Sequence, residues 1–286
     1  MNKASPRVAA LLTCFNRREK TLACLKALRE QLPARTPAGE EVEIDVFLVD
    51  DGSKDGTAEA VRAYWSAAHI IPEDGMRFWC GGMRRAWEVA AATDPDYYFW
   101  LNDDTRLLPG ALARLLQHAS GADETGDLRV ALANCRDPEL GIFTYGGYER
   151  LGAHPLILKS MAVNEHQPVF ADTFNGNAVL IPRAVYRAVG GMESFLHGLG
   201  DLDYGYRVVQ AGGRNVVVPG YIAECERGNV ITYWLKGPGR WKRWKMLNDR
   251  KSGLPFRDWL LFARRHGGRM WPLVFLRPYL RVLLDI

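Results

Sequence analysis

The chain has 286 residues, 48% of them hydrophobic and 24% charged, an ordinary balance for a soluble globular protein of one large domain or one domain with an appendage. No run approaches the roughly 18 uninterrupted apolar residues of a membrane span, and no repeat or low-complexity segment breaks the pattern. The formal net charge of +4 conceals a split: residues 236–286 hold 13 Lys/Arg against 3 Asp/Glu, and the rest of the chain 24 against 30.

In chain order, strands are expected near residues 8–13, 44–50, 69–72, 97–101 and 129–134. Helices are expected near 17–31, 56–68, 82–92 and 109–119. This alternation predicts an α/β fold, a mostly parallel sheet with helices on both faces. The first strand runs into Thr13-Cys14-Phe15-Asn16-Arg17-Arg18 and the second into Asp50-Asp51-Gly52-Ser53. The apolar run Tyr97-Tyr98-Phe99-Trp100-Leu101 ends in Asn102-Asp103-Asp104. Open α/β sheets bind ligands at this edge, so three polar strand ends lay out a nucleotide site. Adjacent carboxylates there suit Mg²⁺ or Mn²⁺, which take oxygen ligands and share them with phosphates. A solvated turn capping the next helix is the alternative reading. No G-x-G-x-x-G and no Walker A lysine motif is present, which speaks against dinucleotide and P-loop sites.

Residues 136–170 read as irregular, with Tyr145–Tyr148 a turn and a short strand at 155–159. Strands near 177–181 and 215–218 follow, with helices at 183–189 and 201–211. The glycine-rich loop Phe195–Gly200 leads into the last of these, placing Asp201 and Asp203 in its first turn. Helix dipoles favour carboxylates there, with or without chemistry. A carboxylate beside an open pocket could also serve as general base toward a sugar hydroxyl, and Asp203 lies four residues from Arg207 on one helix face. From about residue 238 the chain turns helical, divided by Pro255, Pro272 and Pro278, with Pro255 and Pro272 at or near helix starts. Its basic, aromatic composition suits contact with anionic lipid headgroups; nucleic acid, the weaker competitor, is not expected as a partner, and a solvated helical cap is the third reading. The N-terminus lacks a signal-peptide layout, and the five scattered cysteines have no zinc spacing. Free thiols and a cytoplasmic location, peripheral to the inner membrane face if the basic tail docks there, are expected.

Together these motifs make the chain resemble a family 2 glycosyltransferase with a GT-A fold. The resemblance rests on Thr13–Arg17, Val49–Thr57, Leu101–Thr105, Phe174-Asn175-Gly176-Asn177 and Gly200-Asp201-Leu202-Asp203, spanning about residues 7–227. Residues Phe78–Arg84 and the basic C-terminal helices make it most like rhamnosyltransferase-like enzymes of bacterial surface-polysaccharide assembly.

The resemblance implies residues 1–135 as the nucleotide-sugar half, 136–229 as the acceptor and catalytic-base half, and 230–286 as a helical extension. It implies nucleotide contacts from Thr13, Phe15, Asn16, Arg17, Asp50, Asp51, Arg84 and Asp103. Asp104 becomes the ligand to Mg²⁺ or Mn²⁺, with Asn102 where the family has its first Asp. Asp201 becomes the base, preceded by Gly200 where the family has Glu. Trp79, Phe174, Asn175, Gly176, Gly200 and Asp203 fall on the substrate side. Where many members carry a metal-binding His, this chain reads Glu224-Cys225-Glu226. The implied reaction is inverting transfer from a UDP-, dTDP- or GDP-sugar to a hydroxyl of a glycan or polyprenyl-linked glycan. A sugar nucleotidyltransferase and a non-catalytic nucleotide-binding subunit docked at the membrane are the rival readings.

Overall fold

The structure, a computed structural model, describes residues 5–121, 126–228, 239–251 and 253–284. The elements run β1 (Arg7–Cys14), α1 (Arg18–Arg29), β2 (Glu43–Asp50), α2 (Thr57–Tyr64), β3 (His69–Pro72), α3 (Phe78–Ala91), β4 (Tyr97–Leu101), β5 (Arg106–Leu107), α4 (Ala111–His118) and β6 (Arg129–Arg136). Then come β7 (Phe143–Tyr145), β8 (Gly147–Arg150), β9 (Leu158–Ser160), β10 (Val169–Ala171), β11 (Thr173–Phe174), β12 (Ala178–Pro182), α5 (Arg183–Val189), α6 (Gly200–Gln210) and β13 (Arg214–Glu224). Three helices close the chain: α7 (Arg240–Leu247), α8 (Phe256–His266) and α9 (Trp271–Leu284).

The main sheet has the order β10-β13-β6-β12-β4-β1-β2-β3. β1, β2, β3 and β4 are mutually parallel, while β12 runs antiparallel between β4 and β6. Successive strand residues face opposite sides, which sorts the apolar side chains into two cores. Ala9, Leu11, Val49, Tyr98 and Trp100 belong to one, and Val8, Leu12, Leu48, Phe99 and Leu101 to the other. Both faces are therefore covered, as an α/β fold requires. Leu247, Trp259, Phe262 and Val274 of the C-terminal helices join the first core, so the extension is fused to the domain.

Register places the site. Cys14 pairs with Asp50, Leu11 with Trp100, and Ala178 with Leu101. The ends of β1, β2 and β4 and the start of β12 therefore share one edge.

Four expectations need correction. The third helix begins at Phe78, so Gly81-Gly82 lie within it and Arg84 sits in its second turn rather than at its start. Asp51 accounts for the early start, because its carboxylate accepts the backbone N–H groups of Arg77 and Phe78. Only glycine fits at position 82, because a Cβ there would clash with the Thr13 side chain. Residues 136–170 hold short strands, and Tyr145 and Tyr148 end one and enter the next instead of forming a turn. β13 does not end at Val218 but continues through Pro219-Gly220 to Glu224, with register shifts between Val217 and Ala223. Pro278 does not divide the last helix; it lies inside α9 on its buried side. The start of the expected extension, residues 230–238, lies outside the described residues.

Candidate active site

Four short segments meet at the sheet edge. Past β1, Asn16 is held at φ 50° by a pair of reciprocal contacts. Its N–H donates to Ser53 Oγ at 2.9 Å, and its Oδ1 accepts the Lys54 N–H at 2.7 Å. Arg17 then projects across the edge. Its Nη1 donates to Asp103 Oδ1 at 3.1 Å and to Asp104 Oδ2 at 2.7 Å. Thr13 is half-buried against Gly82, and Phe15 is exposed.

At the end of β2 both carboxylates turn inward. Asp50 Oδ1 accepts the Ser53 N–H at 2.9 Å. Asp51 accepts N–H groups from Gly75, Arg77 and Phe78, at 3.0 to 3.1 Å. Its carboxylate thus builds the loop before α3. Arg84 is partly buried, and its Nε has no hydrogen-bond partner among the described residues.

At the end of β4 the three polar residues divide their tasks. Asn102 Oδ1 accepts the Trp79 indole N–H at 2.7 Å. Asp103 is buried, and one of its oxygens, Oδ2, has no hydrogen-bond partner among the described residues. Burial and the neighbouring Asp104 charge push its carboxyl up to about 7, against the pull of Arg17. Asp104 is the more exposed of the pair. The Cys225 thiol donates to its Oδ1 at 3.5 Å and accepts from Asn177 Nδ2 at 3.4 Å. Burial and Asp104 push that thiol up to about 12.

Asp201 enters from the other half. Leu199 caps α6 at φ 69°, a strained conformation for a branched side chain and one that turns the helix start toward the edge. The Asp201 carboxylate accepts N–H groups from Leu202 at 2.8 Å and Gly176 at 3.1 Å, with Asn175 Nδ2 at 3.5 Å. Burial raises its pKa, and these donors oppose the rise. Gly200 admits no side chain, because a Cβ would lie 2.6 Å from Cys80 Sγ. Gly176 likewise lets the Trp79 ring rest on the backbone, where a Cβ would approach it to 2.6 Å.

Asn175 and Gly176 hold Asp201 while Asn177 reaches Cys225 beside Asp104, so three consecutive residues join the two acids. Asn175 and Asn177 are at most about 7 Å apart along an extended chain. Asp104 and Cys225 also line a cleft of about 170 Å³ with Lys20, Cys24 and Arg106; Asp201 lies off its wall.

Two substrate assignments are corrected by burial. The Phe174 ring is wholly inside the core against Trp100, with no face for a sugar. Asp203 is fully buried and bonded to Arg207, Arg265 and His266. Burial would raise its pKa, but these three partners outweigh it and hold the carboxyl below its usual range. His197 accepts the Trp79 backbone N–H on Nδ1, and burial with nearby Lys251 and Arg17 holds it down at about 4. It is a neutral structural acceptor at pH 7.

Tyr148 was not anticipated from the sequence. Its hydroxyl donates to Asn175 Oδ1 at 2.6 Å, which turns the amide nitrogen toward Asp201. Nothing in its spacing marks it, since its partner lies 27 residues on. Among the described residues no three His, Cys, Asp or Glu side chains converge as a metal cage. Asp104 alone, open to a cleft, fits a cation that draws its other ligands from water and a diphosphate.

Comparisons with known proteins bear on the family and the fold. N-acetylglucosaminyl-diphospho-decaprenol L-rhamnosyltransferase of Mycobacterium tuberculosis is 23% identical over 263 residues, covering 84% of this chain and 81% of the relative. Mannosyltransferase PcManGT from Pyrobaculum calidifontis, solved with GDP-Man and Mn²⁺, superposes with a TM-score of 0.54 at 19% identity, covering 99% of this chain and 75% of that one. GalNAc-T7, solved with UDP, GalNAc and Mn²⁺, gives 0.53 at 14% identity, covering all of this chain and 57% of that one. The fold is thus that of GT-A glycosyltransferases. The glycosyl transferase family 2 model matches residues 10–155, just over half of the chain and the stretch that supplies the Arg17, Asp51 and Asp104 strand ends. On that match the chain belongs to glycosyl transferase family 2.

Proposed function

We propose that the protein transfers a sugar, with inversion, from a nucleoside diphosphate sugar to a hydroxyl of a lipid-linked glycan, with Asp201 as the base. The observation that supports this most is the 175–177 segment, which ties Asp201 to the Asp104 strand end. A base held by three donors and partly desolvated has a fixed direction and a raised proton affinity, both of which suit removal of a hydroxyl proton. One carboxylate base, with no second carboxyl beside it among the described residues to act as a nucleophile, fits a single displacement.

Asp104 would hold Mg²⁺ or Mn²⁺, which when bound neutralises charge on the departing diphosphate. Both structural neighbours carry Mn²⁺ and a nucleotide. Arg17, just before α1, is a cation in direct contact with Asp104. It orients Asp104 and can turn to a phosphate, since its side chain is about half exposed. Asp50 and the Asn16 loop form the wall for base and ribose. The decaprenol-linked substrate in the name of the mycobacterial relative supports a polyprenyl-linked acceptor and a deoxyhexose donor.

The test separates the two acids. Asp201→Asn should lower kcat by about 10²–10⁴-fold while leaving nucleoside diphosphate binding intact. Asp104→Ala should weaken nucleotide binding in the presence of Mn²⁺, read as a smaller thermal shift. Near wild-type turnover in Asp201→Asn would remove the base assignment.

A further inference from the structure

The last helix carries apolar surface on two sides. Val274, Pro278 and Val282 face the core. Leu273, Leu276, Leu280, Leu283 and Leu284 are exposed, by 45 to 65%. At about 100° per residue these five leucines fall within an arc of about 100°. Arg277 and Arg281 run along one edge of that arc. Beside it, α7 adds Trp241, 84% exposed, and the partly exposed Trp244, whose ring packs on Tyr279 of α9. A soluble surface rarely leaves such a stripe open without a partner.

We propose that this face of α9, with Trp241 and Trp244, docks on an anionic lipid bilayer, lying in the headgroup plane beside the pool of lipid-linked acceptor. Charge selects the occupant. Residues 236–286 carry 13 basic and 3 acidic residues, so a second copy seated on this face would bring two strongly positive surfaces together. Anionic headgroups reverse that sign, and leucines with tryptophan and flanking arginines are the composition of an interfacial helix. α9 spans about 21 Å along its axis, too short to cross a bilayer, and no helix among the described residues is long and apolar enough to do so. Of the stretch expected from the sequence to meet the membrane, residues 236–238, 252 and 285–286 lie outside the described residues.

The docking face is tied to the site through α8, whose Trp259 indole N–H donates to the Phe275 carbonyl of α9 at 2.9 Å. Asp258 of α8 accepts the Leu196 N–H at 2.8 Å, in the loop before α6. Arg265 and His266 of α8 both bond Asp203, two residues past Asp201. The Arg250 guanidinium lies 5.4 Å over the Phe78 ring, next to Trp79. A bilayer holding α9 would therefore hold the base at a fixed height above the lipid surface. This location of the acceptor rests on the function proposed above; the lipid contact does not.

The test is sedimentation of the purified full chain with vesicles of phosphatidylglycerol and phosphatidylcholine, against vesicles of phosphatidylcholine alone. Wild type should bind the anionic vesicles, less so at high salt. Leu276→Glu with Leu280→Glu should weaken binding about tenfold or more at unchanged Tm, because both side chains are already exposed. The same variant should keep turnover on a water-soluble acceptor and lose it on a vesicle-embedded one. Failure of wild type to bind anionic vesicles, equal binding to neutral ones, or a double variant that binds like wild type would overturn the proposal. So would a wild-type dimer in light scattering that the double variant abolishes, which would assign the face to a second copy. Asp201→Asn should bind vesicles like wild type, so loss of the base reading and loss of the lipid reading give different results.

Discussion

At the scale of single residues, the site is built from groups that hold one another in place. Arg17 bridges Asp103 and Asp104, and burial with the Asp104 charge pushes the Asp103 carboxyl up to about 7 against the pull of Arg17. Asn175 is the clearest case of a side chain whose orientation is set from outside. With its Oδ1 occupied by the Tyr148 hydroxyl, its amide nitrogen must face Asp201. Tyr148→Phe frees the amide to flip, and the base loses a donor that favours its charged form. The Asp201 pKa then rises, so the acid limb of the kcat profile should move to higher pH. At neutral pH kcat should fall by about tenfold, with the donor KM little changed. A purely structural role for Tyr148 would lower Tm and leave the limb where it is.

At the scale of elements, α6 and α8 are fastened through one buried carboxylate. Asp203 binds Arg207 on its own helix and Arg265 and His266 on α8. Burial lowers the His266 pKa against the pull of Asp203, so a neutral imidazole donates through Nε2 and the carboxylate charge is offset by the two guanidinium groups. Asp203→Ala leaves two guanidinium groups facing a hole, and should cost about 3 kcal/mol of stability, read from urea unfolding. It should also lower turnover by loosening the start of α6. The sequence marks the Asp203–Arg207 pair by its i, i+4 spacing. It does not mark the two partners from α8, which lie more than 60 residues on.

At the scale of the whole molecule, one core runs from the sheet into the C-terminal helices. Trp259 and Phe262 are almost completely buried in the same cluster as Trp87 and Trp100. Each contributes roughly 1.5–3 kcal/mol by leaving water. A chain ending at residue 228 exposes that surface and also loses the Asp203 and Leu196 contacts. It should fail to fold, giving no cooperative thermal transition. A soluble, cooperatively melting 1–228 fragment would show that the helices are an independent appendage.

Strand-end chemistry was legible because it is local. Apolar runs that stop at Asp50-Asp51 and Asn102-Asp103-Asp104 carry their meaning within a dozen residues, and a parallel sheet has one edge to which such ends go. Of the two- to four-residue strands between 143 and 174, the one expected at 155–159 overlaps β9, and the others were not legible, because too few residues alternate to set a period. Register and burial also lay beyond local reading. Phe174 looks like a sugar platform and is core, and nothing local in the sequence shows that the Asp51 carboxylate accepts the backbone N–H groups before α3.

Residue order alone determined the α/β class, the acidic strand ends, the family resemblance and the basic tail, since each follows from neighbours along the chain. Tertiary structure decided which acids face a cleft, how Tyr148 aims Asn175, why Gly176 and Gly200 can bear no side chain, and which side of α9 is left open. Those depend on distances between residues far apart in the chain, and only the packing of the fold sets such distances.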